Sequence, residues 1–162
     1  MKKNLFLVCL FMFGTLASCQ CSSKKSADNA VVNTTETPVP LGDPFILLHD
    51  GVYYAYGTHS NKGIEFYTSD DLLTWKYGGL ALNKEDSWAD RWFWAPEIYF
   101  VNGKFYMYYS ADEHICVAVA DSPTGPFVQD KKEPMIADEK CIDNSLFIDD
   151  NGTPYLSFVR FN

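Results

Sequence analysis

A repeat of about fifty residues constrains the fold of this chain more than any other feature. Three segments share one form, in which an apolar run reaches a turn and an aromatic-rich run follows: DPFILLHDGVYYAYGT from Asp43, APEIYFVNGKFYMYYS from Ala95 and DNSLFIDDNGTPYLSF from Asp143. Each turn contains an Asx-Gly pair, and the three turn glycines are 52 and then 49 residues apart. Because Asn, Asp and Gly tolerate the positive φ of tight turns, this pattern predicts three β-hairpins.

Further strand-like runs lie between the hairpins. Residues 63–69 and 115–122 each follow a hairpin, and each leads into a turn and a predicted fourth strand. Four short antiparallel strands in about fifty residues are typical of one blade of a β-propeller. We therefore predict an all-β fold made of propeller blades. A β-sandwich is the main alternative, and the near-equal repeats favour the propeller.

The number of repeats raises the question of ring closure. Residues 43–162 correspond to two and a half blades, whereas propellers close with four or more. We therefore expect the chain to be the N-terminal part of a longer protein. An apolar sheet edge would then be left exposed in this part alone.

The N-terminus has the features of an export signal. Lys2 and Lys3 precede an apolar run over residues 5–13, and LASC (residues 16–19) resembles the bacterial lipobox. This predicts a lipoprotein signal peptide over residues 1–18 and lipid attachment to Cys19; an ordinary secretory signal is the alternative. Residues 19–38 are small, polar and aperiodic, which predicts a flexible tether before a folded domain at 39–162.

Charge and location narrow the range of partners. The formal net charge is −8 and becomes about −10 once residues 1–18 are removed. An acidic surface without basic clusters argues against nucleic acid and anionic membrane surfaces as partners. We expect membrane contact through a lipid anchor only. The predicted location is the periplasm or the outer membrane and cell surface.

The cysteines give little information about function. Cys116 and Cys141 lie in the predicted folded domain, and no CxxC spacing occurs, which argues against a zinc site. Cys116 falls in an apolar run and is expected to be a buried thiol. The sequence leaves open whether Cys116 and Cys141 form a disulfide, which the oxidising conditions met by an exported protein would allow.

Two aspartates occupy equivalent positions in the repeat. Counting back from the turn glycines aligns Asp43 with Ala95 and, with one extra residue in the third turn, with Asp143. The innermost strand of each blade starts near one mouth of the central channel, so Asp43 and Asp143 should face one pocket. Glu97 lies two residues after Ala95, on the same strand face. Paired carboxylates suit general acid/base chemistry; the alternative is that each aspartate only caps a turn.

Seven motifs in one order carry a family resemblance: LGDP (41–44), YYAYGT (53–58), SDDLLTW (69–75), WAPEI (94–98), YMYYS (106–110), VAVADSPTGPF (117–127) and IDNSLFIDDNGTPYL (142–156). In this order they resemble the family 43 glycoside hydrolases. The resemblance implies a five-bladed β-propeller that cleaves arabinose or xylose residues from plant polysaccharides or oligosaccharides.

The resemblance also implies roles for individual residues. Asp43 becomes the general base that activates water, and Asp143 the second aspartate, which orients the general acid and adjusts the pKa of that acid. Trp94 would form part of the sugar-binding wall, and Glu97 would be a polar residue of the same wall. The family's general acid is a glutamate in a later blade, in an EGP- or EAP-like segment, which is not present in this sequence. The chain as given is therefore expected to be inactive by itself.

The implied reaction is hydrolysis with inversion, by one carboxylate that activates water and one carboxylic acid that protonates the leaving oxygen. The resemblance implies no required cofactor and a monomer; it allows a structural calcium ion, for which the sequence indicates no ligands. Arabinose or xylose specificity and exo or endo action stay open. Two alternatives remain: a non-catalytic carbohydrate-binding propeller lipoprotein, and a related fructan-cleaving propeller hydrolase. WAPEI and SPTGPF favour the arabinose- or xylose-cleaving enzyme.

Overall fold

The computed structural model describes residues 38–161, which form three antiparallel sheets. The first sheet contains β1 (Gly42–His49), β2 (Val52–Thr58), β3 (Gly63–Ser69) and β4 (Lys76–Asn83) in sequential order. The second contains β5 (Trp94–Val101), β6 (Lys104–Ala111) and β7 (His114–Ala120), and the third contains β8 (Cys141–Ile148) and β9 (Pro154–Arg160). β5 packs against β1 on one side and β8 on the other. The predicted all-β fold of successive propeller blades is confirmed.

The three predicted hairpins form at the Asx-Gly pairs. In the first two, Asp50 and Asn102 adopt φ of 48° and 49°, and the following glycines both adopt 79°. Two consecutive left-handed residues match the right-handed twist of the flanking strands. The third loop, between Ile148 and Pro154, is longer. It is closed by a hydrogen bond from the Asp149 N–H to the Thr153 carbonyl oxygen (3.0 Å). A register fixed by the turns keeps the starts of the three inner strands equivalent.

The second sheet departs from the predicted four strands. Between β7 and β8 the described chain forms no strand and makes two isolated bridges, Phe127 with Leu82 of the first sheet and Val128 with Val119 of β7. Pro126 has no N–H to donate to a ladder, and the next N–H, that of Phe127, donates to the Ala81 carbonyl oxygen in the first sheet (2.8 Å). This segment therefore connects two sheets instead of completing one.

The hydrophobic core lies between the first and second sheets. Tyr56, Ile64 and Leu82 from the first sheet, with Phe93 before β5 and Met107 in β6, are at most 1% exposed. Their strands alternate, so one face enters this core and the other faces a neighbouring sheet or solvent. Burial of so many large side chains fixes β1 beside β5 and so positions the starts of both strands.

The outer faces of the array remain apolar and exposed. Seven large side chains at its two ends are more than two-fifths exposed: Ile46 and Leu48 in β1, and Phe147, Ile148, Tyr155, Val159 and Phe161 in or after the third sheet. The exposed apolar surface predicted from the sequence is therefore present on these strands.

Several features of the sequence have simple structural outcomes. Cys116 and Cys141 are buried free thiols, and burial raises the pKa of Cys116 to about 12. Residues 38–161 contain no helix long and apolar enough to cross a membrane. The predicted signal peptide, the lipidation of Cys19 and the tether before Pro38 lie outside the described residues.

The turn after β3 is held by Asp71. Its Oδ1 accepts hydrogen bonds from the backbone N–H groups of Thr74 (2.7 Å) and Leu73 (2.8 Å) and from the Ser69 hydroxyl (3.0 Å). The bond from Thr74, then that from Leu73, holds the pKa of Asp71 below its ordinary 3.8. The ionised carboxylate is therefore the form that stabilises the turn.

We expect Asp71→Asn to lower the Tm at neutral pH. Because the folded-state pKa of Asp71 is depressed, its contribution is complete above the unfolded pKa and is lost as pH falls through the folded value. The Tm difference between wild type and variant should therefore shrink at acidic pH. Calorimetry between neutral pH and pH about 2 measures it, and Asp70→Asn is the matched control. Equal effects of both substitutions, or a difference independent of pH, would contradict this account.

Candidate active site

Nine residues from the innermost strands of all three sheets line one cavity of about 300 Å³: Asp43, Pro44, Phe45, Ala95, Pro96, Glu97, Asp143, Asn144 and Ser145. They are three consecutive residues near the start of each of β1, β5 and β8. Three other hollows are each lined by a single sheet and its adjoining loops. Within residues 38–161, the shared cavity therefore brings together side chains from three separate sheets.

The same backbone irregularity occurs at the start of each inner strand. Pairing shifts between Gly42 and Phe45, between Trp94 and Glu97, and between Ile142 and Ser145. Within these bulges Asp43, Ala95 and Asp143 adopt φ of 44°, 42° and 55°. Left-handed φ is uncommon for residues other than glycine, and aspartate tolerates it better than most. A bulge changes the direction of the side chain that it contains. The three bulge residues here all line the cavity.

The predicted pair of aspartates is thus brought to one cavity. Asp43 and Asp143 are both exposed. Asp43 Oδ2 accepts a hydrogen bond from the Thr58 hydroxyl (2.9 Å). Among residues 38–161, no hydrogen-bond partner reaches the carboxylate of Asp143, whose backbone N–H donates to Ser110 Oγ (3.2 Å). Both carboxylates are open to a ligand or to water.

Glu97 also lines the cavity, and one of its oxygens connects two sheets. Glu97 Oε2 accepts hydrogen bonds from the Tyr99 hydroxyl and from the Leu146 N–H, the latter at 3.3 Å. Burial first, and then the hydrogen bond to Glu97, raises the pKa of Tyr99 to about 12. The carboxylate therefore holds β8 beside β5. The predicted contact of Glu97 with a sugar stays a prediction.

Trp94 lies beside the cavity, not in its lining. It is half-buried and stacks on Trp92, with ring centroids 5.8 Å apart and an interplanar angle of 11°. Trp92 is 42% exposed, and the Arg91 guanidinium lies 4.3 Å from its ring centroid. Partly exposed aromatic rings suit contact with the apolar face of a sugar ring. The assigned role of Trp94 stays a prediction.

Sequence reasoning missed three residues at this site, namely Asn144, Thr58 and Ser110. Asn144 is 3% exposed, and its amide has no hydrogen-bond partner among the described residues. Its place next to Asp143 in the motif was the available signal. Thr58, which binds Asp43, ends the second strand of its hairpin, and Ser110 follows it by 52 residues. Extending the repeat alignment to second strands would have found this hydroxyl pair.

Within 38–161, no group of three or more His, Cys, Asp or Glu side chains is arranged to hold a metal ion. The cavity lining is a pair of aspartates with neighbouring amide, hydroxyl and carboxylate groups. Such a set can exchange protons with water and bind hydroxyl groups.

Comparisons with known proteins point to one family of enzymes. The model of the glycosyl hydrolases family 43 matches residues 35–162. The xylosidase/arabinosidase 43A of Humicola insolens is 40% identical over 146 residues, which cover 75% of this chain and 44% of that protein. The extracellular exo-α-(1→5)-L-arabinofuranosidase of Cellvibrio japonicus is 27% identical over 145 residues, covering 76% of this chain and 41% of that protein.

A solved structure extends the likeness to three dimensions. The crystal structure of an endo-1,4-β-xylanase from Bacteroides thetaiotaomicron matches with a TM-score of 0.72 and 52% identity, over 76% of this chain and 44% of that one. The chain spans about two-fifths of the length of the curated relatives above. With the family model matched across its whole described part, this chain belongs to the glycosyl hydrolases family 43.

Proposed function

We propose that this chain is the N-terminal part of an exported enzyme that hydrolyses arabinose- or xylose-containing plant polysaccharides or oligosaccharides with inversion. One observation carries the proposal: Asp43 and Asp143, from equivalent bulges two blades apart, line the same cavity. The relatives named above, a xylosidase/arabinosidase and an arabinofuranosidase, support this class of substrate.

Asp43 is the proposed general base. Its Oδ2 is held by Thr58, and among residues 38–161 no hydrogen bond reaches Oδ1, which can take a proton from water. Asp143, exposed across the same cavity, is proposed to orient the general acid and to adjust the pKa of that acid. An inverting site needs roughly 6.5–9.5 Å between base and acid to admit the water.

The proposed general acid is a glutamate of a later blade. Within residues 38–161 the only glutamate in the cavity lining is Glu97, whose Oε2 is already occupied by Tyr99 and Leu146. Two further features support the idea that more blades follow: the apolar faces exposed on β1 and the third sheet, and the greater length of the relatives. This chain alone is then expected to lack activity.

Hydrolysis by the full-length gene product tests this proposal. We expect release of p-nitrophenol from an aryl α-L-arabinofuranoside or an aryl β-D-xyloside, and of reducing sugar from arabinan or xylan. An EGP- or EAP-like glutamate should follow Asn162 in the coding sequence. Binding of these sugars without turnover would instead support the non-catalytic propeller, for which the exposed Trp92 ring, stacked on the half-buried Trp94, provides a surface.

The cellular location is a further part of the proposal. The relative from Cellvibrio japonicus is extracellular, which is consistent with export of this chain. We propose that a lipid on Cys19 anchors the chain to a membrane. Substrate would then reach the cavity from the periplasm or the cell exterior. Fructan cleavage receives no support from these relatives.

A further inference from the structure

We infer that Thr58 is a positioning residue, whose hydroxyl fixes the orientation of the Asp43 carboxylate by joining it to the neighbouring blade. Thr58 ends β2 and is paired with Gly42, directly before Asp43. Its Oγ1 donates to Asp43 Oδ2 (2.9 Å) and accepts from the Ala95 N–H (3.0 Å). This inference rests on the proposed function, since it assumes that Asp43 acts as a base.

The two hydrogen bonds determine the direction of the Thr58 proton. Because the Ala95 N–H can only donate, it occupies an acceptor site on the hydroxyl oxygen and leaves the hydroxyl proton for Asp43. A hydroxyl held at both sides cannot rotate freely. One carboxylate oxygen is thereby fixed, and the other is presented to the cavity for water.

The same hydroxyl also supports the left-handed backbone at Ala95. Asp43 and Ala95 are the left-handed residues of two adjacent bulges, with φ of 44° and 42°. The Thr58 hydroxyl binds the side chain of one and the backbone N–H of the other. It therefore couples two irregular backbone segments, each of which would be costly to hold without support.

Ser110 provides a comparison within the same chain. It lies 52 residues after Thr58, is paired with Trp94 as Thr58 is with Gly42, and accepts a hydrogen bond from the next bulge residue, Asp143 (3.2 Å). The hydroxyl bridge between blades is thus repeated. At Ser110 the preceding bulge residue is Ala95, which offers no carboxylate. Of these two hydroxyls, that of Thr58 combines the bridge with contact to an acidic side chain.

Kinetics of the full-length enzyme on an aryl arabinofuranoside and an aryl xyloside test this inference. We expect Thr58→Val, which keeps the shape and removes the hydroxyl, to lower kcat about 10- to 100-fold, as loss of a hydrogen bond to a charged group implies. KM should change little, because the hydroxyl is not proposed to touch substrate. Thr58→Ser should restore kcat, and Thr58→Ala replaces Thr58→Val if the latter does not fold.

The comparison variant is Ser110→Ala, which removes the equivalent bridge without touching Asp43; because Ser110 binds the backbone of Asp143, its kcat is compared with its own Tm and is not assumed unchanged. Tm is measured for all variants. If the bridge were only structural, the loss of kcat in Thr58→Val would follow its loss of Tm, as in Ser110→Ala. Thr58→Ser would then regain kcat only as far as it regained Tm. That pattern, or an unchanged kcat in Thr58→Val, would overturn the inference and leave the proposed function standing. An inactive wild-type enzyme would overturn the proposed function and the inference with it.

Discussion

Asp43→Asn in the full-length enzyme is expected to reduce kcat for arabinoside and xyloside hydrolysis by about 10²–10⁴-fold, the usual contribution of a general base. Asparagine keeps the shape and can still accept the hydrogen bond from Thr58, but it cannot take a proton from water. Because Asp43 is exposed, its replacement should leave the Tm close to that of the wild type. Release of p-nitrophenol under saturating substrate measures the effect.

Asp50→Asn is the matched control for this variant. It makes the same chemical change at the other end of β1, in an exposed hairpin turn where asparagine also tolerates the observed φ of 48°. Wild-type activity is expected for this control. A kcat of Asp43→Asn within tenfold of the wild type would refute the role of general base.

Leu82→Ala is expected to lower the free energy of unfolding by about 2–5 kcal/mol, since it leaves a cavity in a packed core. Leu82 is 0% exposed, pairs with Ile64 and forms a bridge with Phe127. It therefore helps to join the first sheet to the segment after the second. Denaturant unfolding of the purified protein, followed by tryptophan fluorescence, measures the change.

Leu73→Ala makes the same substitution at a side chain that is 50% exposed. It should cost less than about 1 kcal/mol, in line with surface substitutions elsewhere in proteins. Equal losses in the two variants would show that the core does not lie between the first two sheets as described.

Local chemistry made most of the fold predictable from the sequence. The Asx-Gly pairs at Asp50-Gly51 and Asn102-Gly103 fix hairpins within a few residues, so propensity and turn geometry agree. The missing fourth strand of the second sheet depends instead on a distant partner. The Phe127 N–H donates to Ala81 in the first sheet. Such a contact between sheets cannot be predicted from the pattern of apolar residues along one strand.

The site was predictable to a similar limit. Repeat alignment placed Asp43 and Asp143 at equivalent positions, and the structure places them on one cavity. The left-handed φ at Ala95 was not predictable, because alanine gives no sign that it adopts one. The hydrogen bond from Thr58 to Asp43 was not predictable either, because the spacing of residues in the sequence does not determine which side chains meet across a bulge.

The stereochemistry of the first product tests the central claim most directly. Proton NMR of the full-length enzyme acting on an arabinoside or xyloside reports the anomeric configuration of the sugar before mutarotation. We expect inversion, because water activated by Asp43 attacks the face opposite the leaving group in one displacement. A first product with retained configuration would contradict the assignment of Asp43 as a general base.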